Sequence, residues 1–451
     1  MKIHFERFGN LVNADEEVVI FGMGFVGLTL AVSLSNVGIS VIGIDTNVET
    51  INQLNSGKPH FYEDGLEMGL QLGVRTGKLK FSQKIEKSDC SRTFIVTVGT
   101  PLKGNQLDES SIDSVISQII KLLSSGDLVI LRSTVSIGMT SFIQERIKEK
   151  VAVPFSIAMC PERTLEGIAL QELRSLPQII GASDQESRDR AKHLFENLTD
   201  QILELDSFEA AEISKLSNNI ARDVKFALAN EVAIACERVG VRFEDVQKAT
   251  TAGYPREGLS RAGYVAGPCL EKDSWIFLES INKYKKIPGV PSLEYSVIKS
   301  ARYVNEYLPE YVISCVNEFS ATLSGEKKVL IAHLGLAFKG SPPTNDIRGS
   351  DSLKVIGLLS KNSTYENYVI DAELNDSEVR SLGLRPIGDM ISSPNILVIH
   401  NDHQNNLAYA KNIIEQTQEC IFIFDIWNLF RSDTILPARV TYKSLGNQHA
   451  K

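Results

Sequence analysis

A glycine triplet between an apolar strand and an apolar-periodic helix constrains this chain more than any other feature. Residues 17–21 read EVVIF, Gly22-Met23-Gly24-Phe25-Val26-Gly27 follows, and a helical pattern continues to Leu34. Another strand over 41–44 ends in Asp45, 18 residues after Gly27. The spacing predicts a βαβ unit. Gly22 permits the tight turn, Gly24 lets a pyrophosphate approach the backbone, and Gly27 allows close helix–strand contact. The helix N-terminus offers N–H groups and a favourable dipole to phosphates. A carboxylate at Asp45 can accept from both ribose hydroxyls and repels a 2′-phosphate, so the motif predicts NAD rather than NADP. Outside this context, the same run would be a tight turn with a surface aspartate.

Strands over 94–98, 128–131 and 155–159 alternate with helical segments, which implies a mostly parallel sheet covered on both faces. From Phe208 to Val239 neither Pro nor Gly intervenes, and Ile213, Leu216, Ile220, Val224, Ala227 and Leu228 recur near the helical period until Gly240. A second long helical pattern runs from about residue 295 to 323, across Pro309. Two such helices suit either a dimer interface or an intramolecular spine. After the SGEKK stretch, strands over 329–334, 368–370, 396–399 and 421–424 open a second α/β region. The expected fold is α/β, with two Rossmann-like doubly wound domains joined by a central helical domain. The expected segments are 1–206, 207–324 and 325–451, in keeping with roughly 150 residues per domain.

Lys plus Arg total 47 against 56 Asp plus Glu, a net charge of −9. A mildly acidic chain argues against nucleic acid or an anionic membrane as partner, since both need a positive field. An anionic small molecule needs only local cations. No run of 18 apolar residues occurs and the N-terminus lacks an apolar h-region, so neither a membrane span nor a signal peptide is expected. Six cysteines without a CxxC point to free thiols in a reducing compartment, the cytoplasm by default.

Three further constellations carry chemistry. Lys215 and Asn219 lie at i and i+4 on one helix face, where they can polarise a substrate hydroxyl; alone, the pair equally suits a solvated face. Cys269 sits in Ala-Gly-Pro-Cys-Leu-Glu-Lys-Asp, a loop with a helix start expected just after it. Lys272 and that helix start favour a thiolate, and Asp273 can position a water or act as base. Alone, a single cysteine also suits a small buried hydrophobe. Lys339 and Arg348 flank a Gly-rich turn after a strand, which suits a diphosphate or a salt-bridged loop. His400 and His403 form an HxxH without further ligands and read as a polar strand-end pair.

Together these pieces resemble the UDP-sugar and GDP-sugar dehydrogenase family, nucleotide-sugar 6-dehydrogenases. The matching runs are GMGFVG with Asp45, VGTP at 98–101, RSTV at 132–135, CPER with EG at 160–167, AEISKLSNN at 211–219, GPCLEKD at 267–273, and LGLAFKG with DIRGS ending at Ser350. The resemblance covers nearly the whole chain. It implies that Gly22, Gly24, Gly27 and Asp45 hold NAD, with Thr100, Thr134, Glu166 and Arg348 reaching it from later loops. It implies Cys269 as nucleophile, with Lys215, Asn219, Asp273 and Glu162 around the reacting C6. Lys339 and Arg256 would bind the nucleotide sugar, Arg256 sometimes across a dimer interface. The implied reaction is a four-electron oxidation of a primary alcohol to a uronate through a Cys269 thioester, feeding surface polysaccharide assembly. A homodimer or higher homo-oligomer is the implied assembly.

Several positions depart from the family pattern. Glu271 stands where Pro is common, Val265 and Ala266 interrupt the Gly-rich approach to the cysteine, Ser136 follows the Ser-Thr-Val loop, and Trp427 precedes Asn428 where an Arg is usual. CPER leans toward UDP-N-acetylhexosamines such as UDP-N-acetylmannosamine, with UDP-glucose as the other candidate. Two other readings compete: a two-electron β-hydroxyacid-type dehydrogenase, and a non-catalytic nucleotide-sugar sensor.

Overall fold

The computed structural model describes residues 17–88, 90–103, 106–256, 258–284, 296–323, 328–431 and 434–448. Among these, the chain forms two compact units. The first draws on the described residues within 1–218 and 275–287, the second on those within 219–274 and 288–451.

In the first unit the strands are β1 (Glu17–Phe21), β2 (Ser40–Ile44), β3 (Leu79–Ser82), β4 (Arg92–Val96), the short hairpin β5 (Leu102–Lys103) and β6 (Gln106–Leu107), then β7 (Asp127–Leu131), β8 (Phe155–Met159), β9 (Gln178–Gly181) and β10 (Ile202–Leu205). Apart from the hairpin they make one sheet in the order β10-β9-β8-β7-β4-β1-β2-β3. Strands β3 to β8 pair in parallel, and β9 meets β8 in the antiparallel sense. The order reverses between β1 and β4, the switch point at which such sheets open a crevice beyond their strand ends. Phe21 pairs with both Ile44 and Val96, so β1, β2 and β4 end level. Helices α1 (Phe25–Asn36), α2 (Val48–Asn55), α3 (Leu66–Arg75), α4 (Ser110–Leu122), α5 (Met139–Lys150), α6 (Ala169–Ser175) and α7 (Gln185–Phe195) connect the strands. All five residues of β7 are buried, as expected of a strand covered on both faces.

Helix α8 (Phe208–Val239) runs unbroken for 32 residues, as its sequence period predicts. It is followed by α9 (Phe243–Thr251) and α10 (Asp273–Asn282). The second long helix expected from the sequence is instead two, α11 (Val297–Glu306) and α12 (Leu308–Ser320); its expected start at 295 lies outside the described residues. The reason is Pro309. Inside a helix it lacks the N–H of the ladder and its ring clashes with the preceding turn, whereas in the first turn no such bond is needed.

The second unit holds β11 (Val329–Leu334), β12 (Tyr365–Ile370), β13 (Ile396–Ile399), β14 (Ile421–Asp425), β15 (Val440–Ser444) and β16 (Asn447–Gln448), in the order β12-β11-β13-β14-β15-β16. All pairings are parallel except the last. Here the order reverses between β11 and β13. Helices α13 (Asp351–Leu359), α14 (Asp376–Ser381) and α15 (Gln404–Gln416) connect the parallel strands β11 to β14. Among the described residues no helix is long and apolar enough to cross a membrane.

Candidate active site

In the first unit, the expected cofactor residues all follow the carboxyl ends of strands. Gly22 follows β1 with φ at +97°, a conformation that L side chains resist. A Cβ on Gly27 would lie 1.8 Å from the Gly22 carbonyl oxygen, so only glycine lets α1 approach β1 this closely. A Cβ on Gly24 would meet nothing within 4 Å, and no side chain caps α1. The N-cap of α1 thus borders open space, as an anion cradle at a helix N-terminus requires. The Asp45 carboxylate is held by the N–H groups of Met23 (2.8 Å, to Oδ2) and Asn47 (2.9 Å, to Oδ1). Each oxygen keeps a second lone pair for a ribose hydroxyl. Thr100 follows β4 and Thr134 follows β7; the Thr100 hydroxyl donates to the Thr134 carbonyl at 2.7 Å, which ties their two loops together. These residues fit a bound dinucleotide.

Glu162 and Glu166 lie on the loop after β8. The Glu162 carboxylate is buried and accepts from the Thr164 N–H. One residue not anticipated from the sequence organises this loop. Glu63 is buried and accepts from the N–H groups of Gly167 and Ala169, both at 2.6 Å, on either side of the start of α6. Nothing in its local run, HFYEDG, marks it. Glu212 was also unanticipated. It binds the N–H groups of Gly138 (2.6 Å) and Thr140 (2.9 Å), which anchors the start of α8 to the start of α5. Three residues later, Lys215 is buried, which removes the solvated-face alternative for this part of the helix.

The second unit brings together Asn219, Cys269 and Asp273. Asn219 is buried on α8 and its amide donates to Asp273 Oδ2 at 2.6 Å. Asp273 is 1 % exposed, and its Oδ1 has no hydrogen-bond partner; the Lys272 ammonium stands 3.5 Å away. A buried carboxylate oxygen with an unused lone pair calls for a proton donor such as water or substrate. Asp273 opens α10, and the Cys269 carbonyl accepts from the N–H groups of Lys272 (3.1 Å) and Asp273 (3.0 Å). Cys269 thus sits in the turn leading into a helix N-terminus and is exposed. By contrast Cys160, Cys236 and Cys315 are buried, and burial raises each thiol, that of Cys160 to about 12. Cys90 and Cys420 are exposed too.

The turn bearing Lys339 and Arg348 touches the cysteine loop directly. The Gly267 N–H donates to the Gly349 carbonyl at 3.2 Å, and a Cβ on Gly267 would lie 2.5 Å from the Phe338 ring. The Lys339 ammonium lies 5.6 Å from the centre of that ring. Arg348 forks onto Asp346 at 2.9 and 2.5 Å. Arg256 is exposed and stacked on Tyr254 at 4.4 Å, apart from these contacts. Asp371, missed in the sequence, ends the run after β12 and accepts from the Leu336 N–H at 2.5 Å, as Asp45 does from Met23 in the first unit. The departures also acquire partners. Glu271 pairs with Lys354 at 2.7 Å, and the Trp427 indole donates to the His400 carbonyl at 3.0 Å while Arg261 covers its ring at 5.1 Å. His400 and His403 part company: His400 bonds His333 at 2.8 Å, and His403 caps α15.

Two nucleotide-type sheets with glycine turns at their switch points, and a cysteine in the turn that leads to a buried Asn–Asp pair, are the features expected of a nicotinamide-dependent dehydrogenase. Residues 16–199 match the NAD binding domain, and 209–307 the central domain, of the UDP-glucose/GDP-mannose dehydrogenase family. The chain belongs to that family and is an NAD-dependent nucleotide-sugar dehydrogenase. It is 30% identical to the UDP-N-acetyl-D-mannosamine dehydrogenase of Methanococcus vannielii over 96% of this chain and 97% of that one. The corresponding protein of Campylobacter jejuni is 30% identical, over 83% of this chain and 91% of its own. Among solved structures, the UDP-D-ManNAc dehydrogenase of Pyrococcus horikoshii superposes with a TM-score of 0.82 at 26% identity, covering 95% of this chain and 99% of that one.

Proposed function

We propose that this enzyme oxidises the C6 primary alcohol of a UDP-N-acetylhexosamine, UDP-N-acetylmannosamine before others, to the uronate in two oxidations, the second of them on the Cys269 thiol. UDP-glucose is the next candidate. The names of the relatives support the sugar. The observation that carries the chemistry is the exposed Cys269 at the mouth of a helix whose first residue, Asp273, is buried on Asn219 with one oxygen that accepts no hydrogen bond.

NAD, when bound, supplies the hydride acceptor for both oxidations; Gly22, Gly24, Gly27, Asp45, Thr100, Thr134 and Glu166 would hold it, with Arg348 assisting. In the first oxidation Asp273 Oδ1 takes the C6 hydroxyl proton, directly or through water. The Cys269 thiolate then adds to the aldehyde carbon and forms a C–S bond. Lys215 and the free amide N–H of Asn219 stabilise the resulting oxyanion, a contribution of about 3–4 kcal/mol in comparable sites. Loss of the second hydride leaves a thioester. Water held by Asp273 and Glu162 adds to it, the C–S bond breaks, and the thiolate is regenerated. Summed, the alcohol and one water give the carboxylate, two hydrides and three protons. Covalent capture keeps the aldehyde in place between the steps.

Lys339 and Arg256 bind the nucleotide sugar in this reading, with Arg256 reaching a neighbouring protomer's site. A homodimer through α8 is supported by Ile213 and Leu228, apolar yet exposed on that helix. A reducing compartment suits the thiol chemistry of Cys269, and a uronate product suits polysaccharide assembly.

The test is product mass and NADH counted on a panel of UDP- and GDP-sugars. Two NADH per sugar and a uronate are expected, and Cys269→Ser should stop uronate formation with NAD affinity nearly unchanged. One NADH with a keto product refutes the reading in favour of a two-electron dehydrogenase. Tight binding without turnover under saturating NAD refutes it in favour of a sensor.

A further inference from the structure

A buried polar knot links the two segments that carry Asn219, Cys269 and Asp273. Asp223 lies one turn beyond Asn219 on α8 and is 0 % exposed; Arg302 on α11 is 1 % exposed. Asp223 Oδ1 accepts from Arg302 Nη1 at 2.7 Å and from Asn305 Nδ2 at 2.8 Å. Its Oδ2 accepts from the hydroxyl of Ser274, the residue after Asp273, at 2.8 Å. Arg302 Nη1 also donates to the carbonyl of Leu270, the residue after Cys269, at 3.1 Å. Its remaining edge, Nε and Nη2, is taken by Glu306 at 3.2 and 3.1 Å.

The knot extends to the other end of the cysteine loop. Asn305 Oδ1 accepts from Asn230 Nδ2 at 2.9 Å. Asn230 in turn brackets Gly263, accepting its N–H at 2.8 Å and donating to its carbonyl at 3.1 Å. The loop from Gly263 to Leu270 is therefore clamped at both ends by side chains tied to one carboxylate. An ion pair this deeply buried is a poor choice for stability alone, because desolvation offsets the attraction and apolar residues of similar volume serve as well. What a guanidinium supplies and an apolar group cannot is a rigid fork whose N–H groups reach a carboxylate and a carbonyl together.

We infer that the Asp223–Arg302 pair is a positioning device that sets the Cys269 thiol against the Asn219–Asp273 pair. The inference rests on the reading of Cys269 as the nucleophile. Arg302 touches no reacting atom; it acts through the backbone of Leu270. The step most sensitive to it is attack of the thiolate on the aldehyde, since a misplacement of about 1 Å can cost about a hundredfold in rate. The first oxidation needs no sulfur and is affected less.

The experiment compares wild type with Arg302→Lys, which keeps the charge but loses the fork. NADH formed per UDP-N-acetylmannosamine consumed is counted with hydroxylamine present to trap released aldehyde. Wild type is expected to give two NADH and no trapped aldehyde. The variant should keep its NAD affinity and sugar KM within about threefold, lose about ten- to a hundredfold in uronate formation, and release aldehyde so that the ratio falls toward one. A folded variant that keeps the ratio at two overturns the inference, whether its kcat is unchanged or uniformly lowered, since general loosening slows both oxidations alike. If the single variant does not fold, the charge-free double variant Asp223→Asn/Arg302→Met is read in the same way. A wild-type ratio of one would overturn the thioester reading and this inference together, whereas a wild-type ratio of two with an unaffected variant overturns this inference alone.

Discussion

Removing the Glu63 carboxylate tests whether one buried acid holds the loop that carries Glu162 and Glu166. Glu63 accepts from two backbone N–H groups, those of Gly167 and Ala169, each at 2.6 Å, and is 5 % exposed. Glu63→Ala leaves both donors buried, and each costs about 1–3 kcal/mol when unsatisfied, so the expected loss is about 4 kcal/mol. Glu63→Gln keeps one carbonyl acceptor and turns an NH₂ toward the other donor, so about half that loss is expected. The chain has two tryptophans, and Trp275 belongs to the first unit while Trp427 belongs to the second. Urea unfolding followed by fluorescence in a Trp427→Phe background therefore reports on the first unit. NAD affinity, measured by calorimetry, should fall in the same order, with Ala weaker than Gln and Gln weaker than wild type. An Ala variant within about 0.5 kcal/mol of wild type would match an ordinary surface substitution and refute the argument. A Gln variant less stable than Ala would refute it as well.

Two further outcomes follow from the same geometry. Gly27→Ala places a methyl 1.8 Å from a backbone carbonyl that cannot rotate aside, so overpacking of about 1–3 kcal/mol and a more than tenfold weaker NAD Kd are expected by calorimetry; unchanged affinity would show that the turn yields freely. In the second unit, burial holds His333 neutral, with its pKa pushed down to about 4, and His400 is lowered in the same way. A histidine lowered on folding contributes its stability above the unfolded value of 6.5 and loses it as pH falls through about 4, a change of about 3 kcal/mol for His333. Asp425, raised by burial to about 6, titrates in the same range with opposite sign, so the quantity to measure is the difference between wild type and His333→Asn across that window. Identical acid-unfolding curves would exclude the histidine contribution.

The dinucleotide cradle was legible because its determinants are local. A positive-φ glycine, a glycine at a close approach and a strand-ending aspartate fall within 24 residues, at offsets set by strand and turn geometry. The period of α8 was legible for the same reason, and the Lys215–Asn219 spacing with it. The break between α11 and α12 was also written locally, in Pro309, although the apolar period continues across it.

Tertiary structure alone decided which polar residues support the site. Glu63 meets Gly167 at a separation of 104 residues, Asp223 meets Arg302 at 79, and Asn219 meets Asp273 at 54. Contacts of this kind have no period and no flanking signal, because a hydrogen bond requires coincidence in space, which the chain reaches only after its sheets have closed. The same holds for exposure: the sequence sets Cys269 in a Gly-Pro loop, but only folding leaves its thiol open while burying Cys160. The chemical groups were thus available from residue types, whereas their charge environment and their supports came from packing.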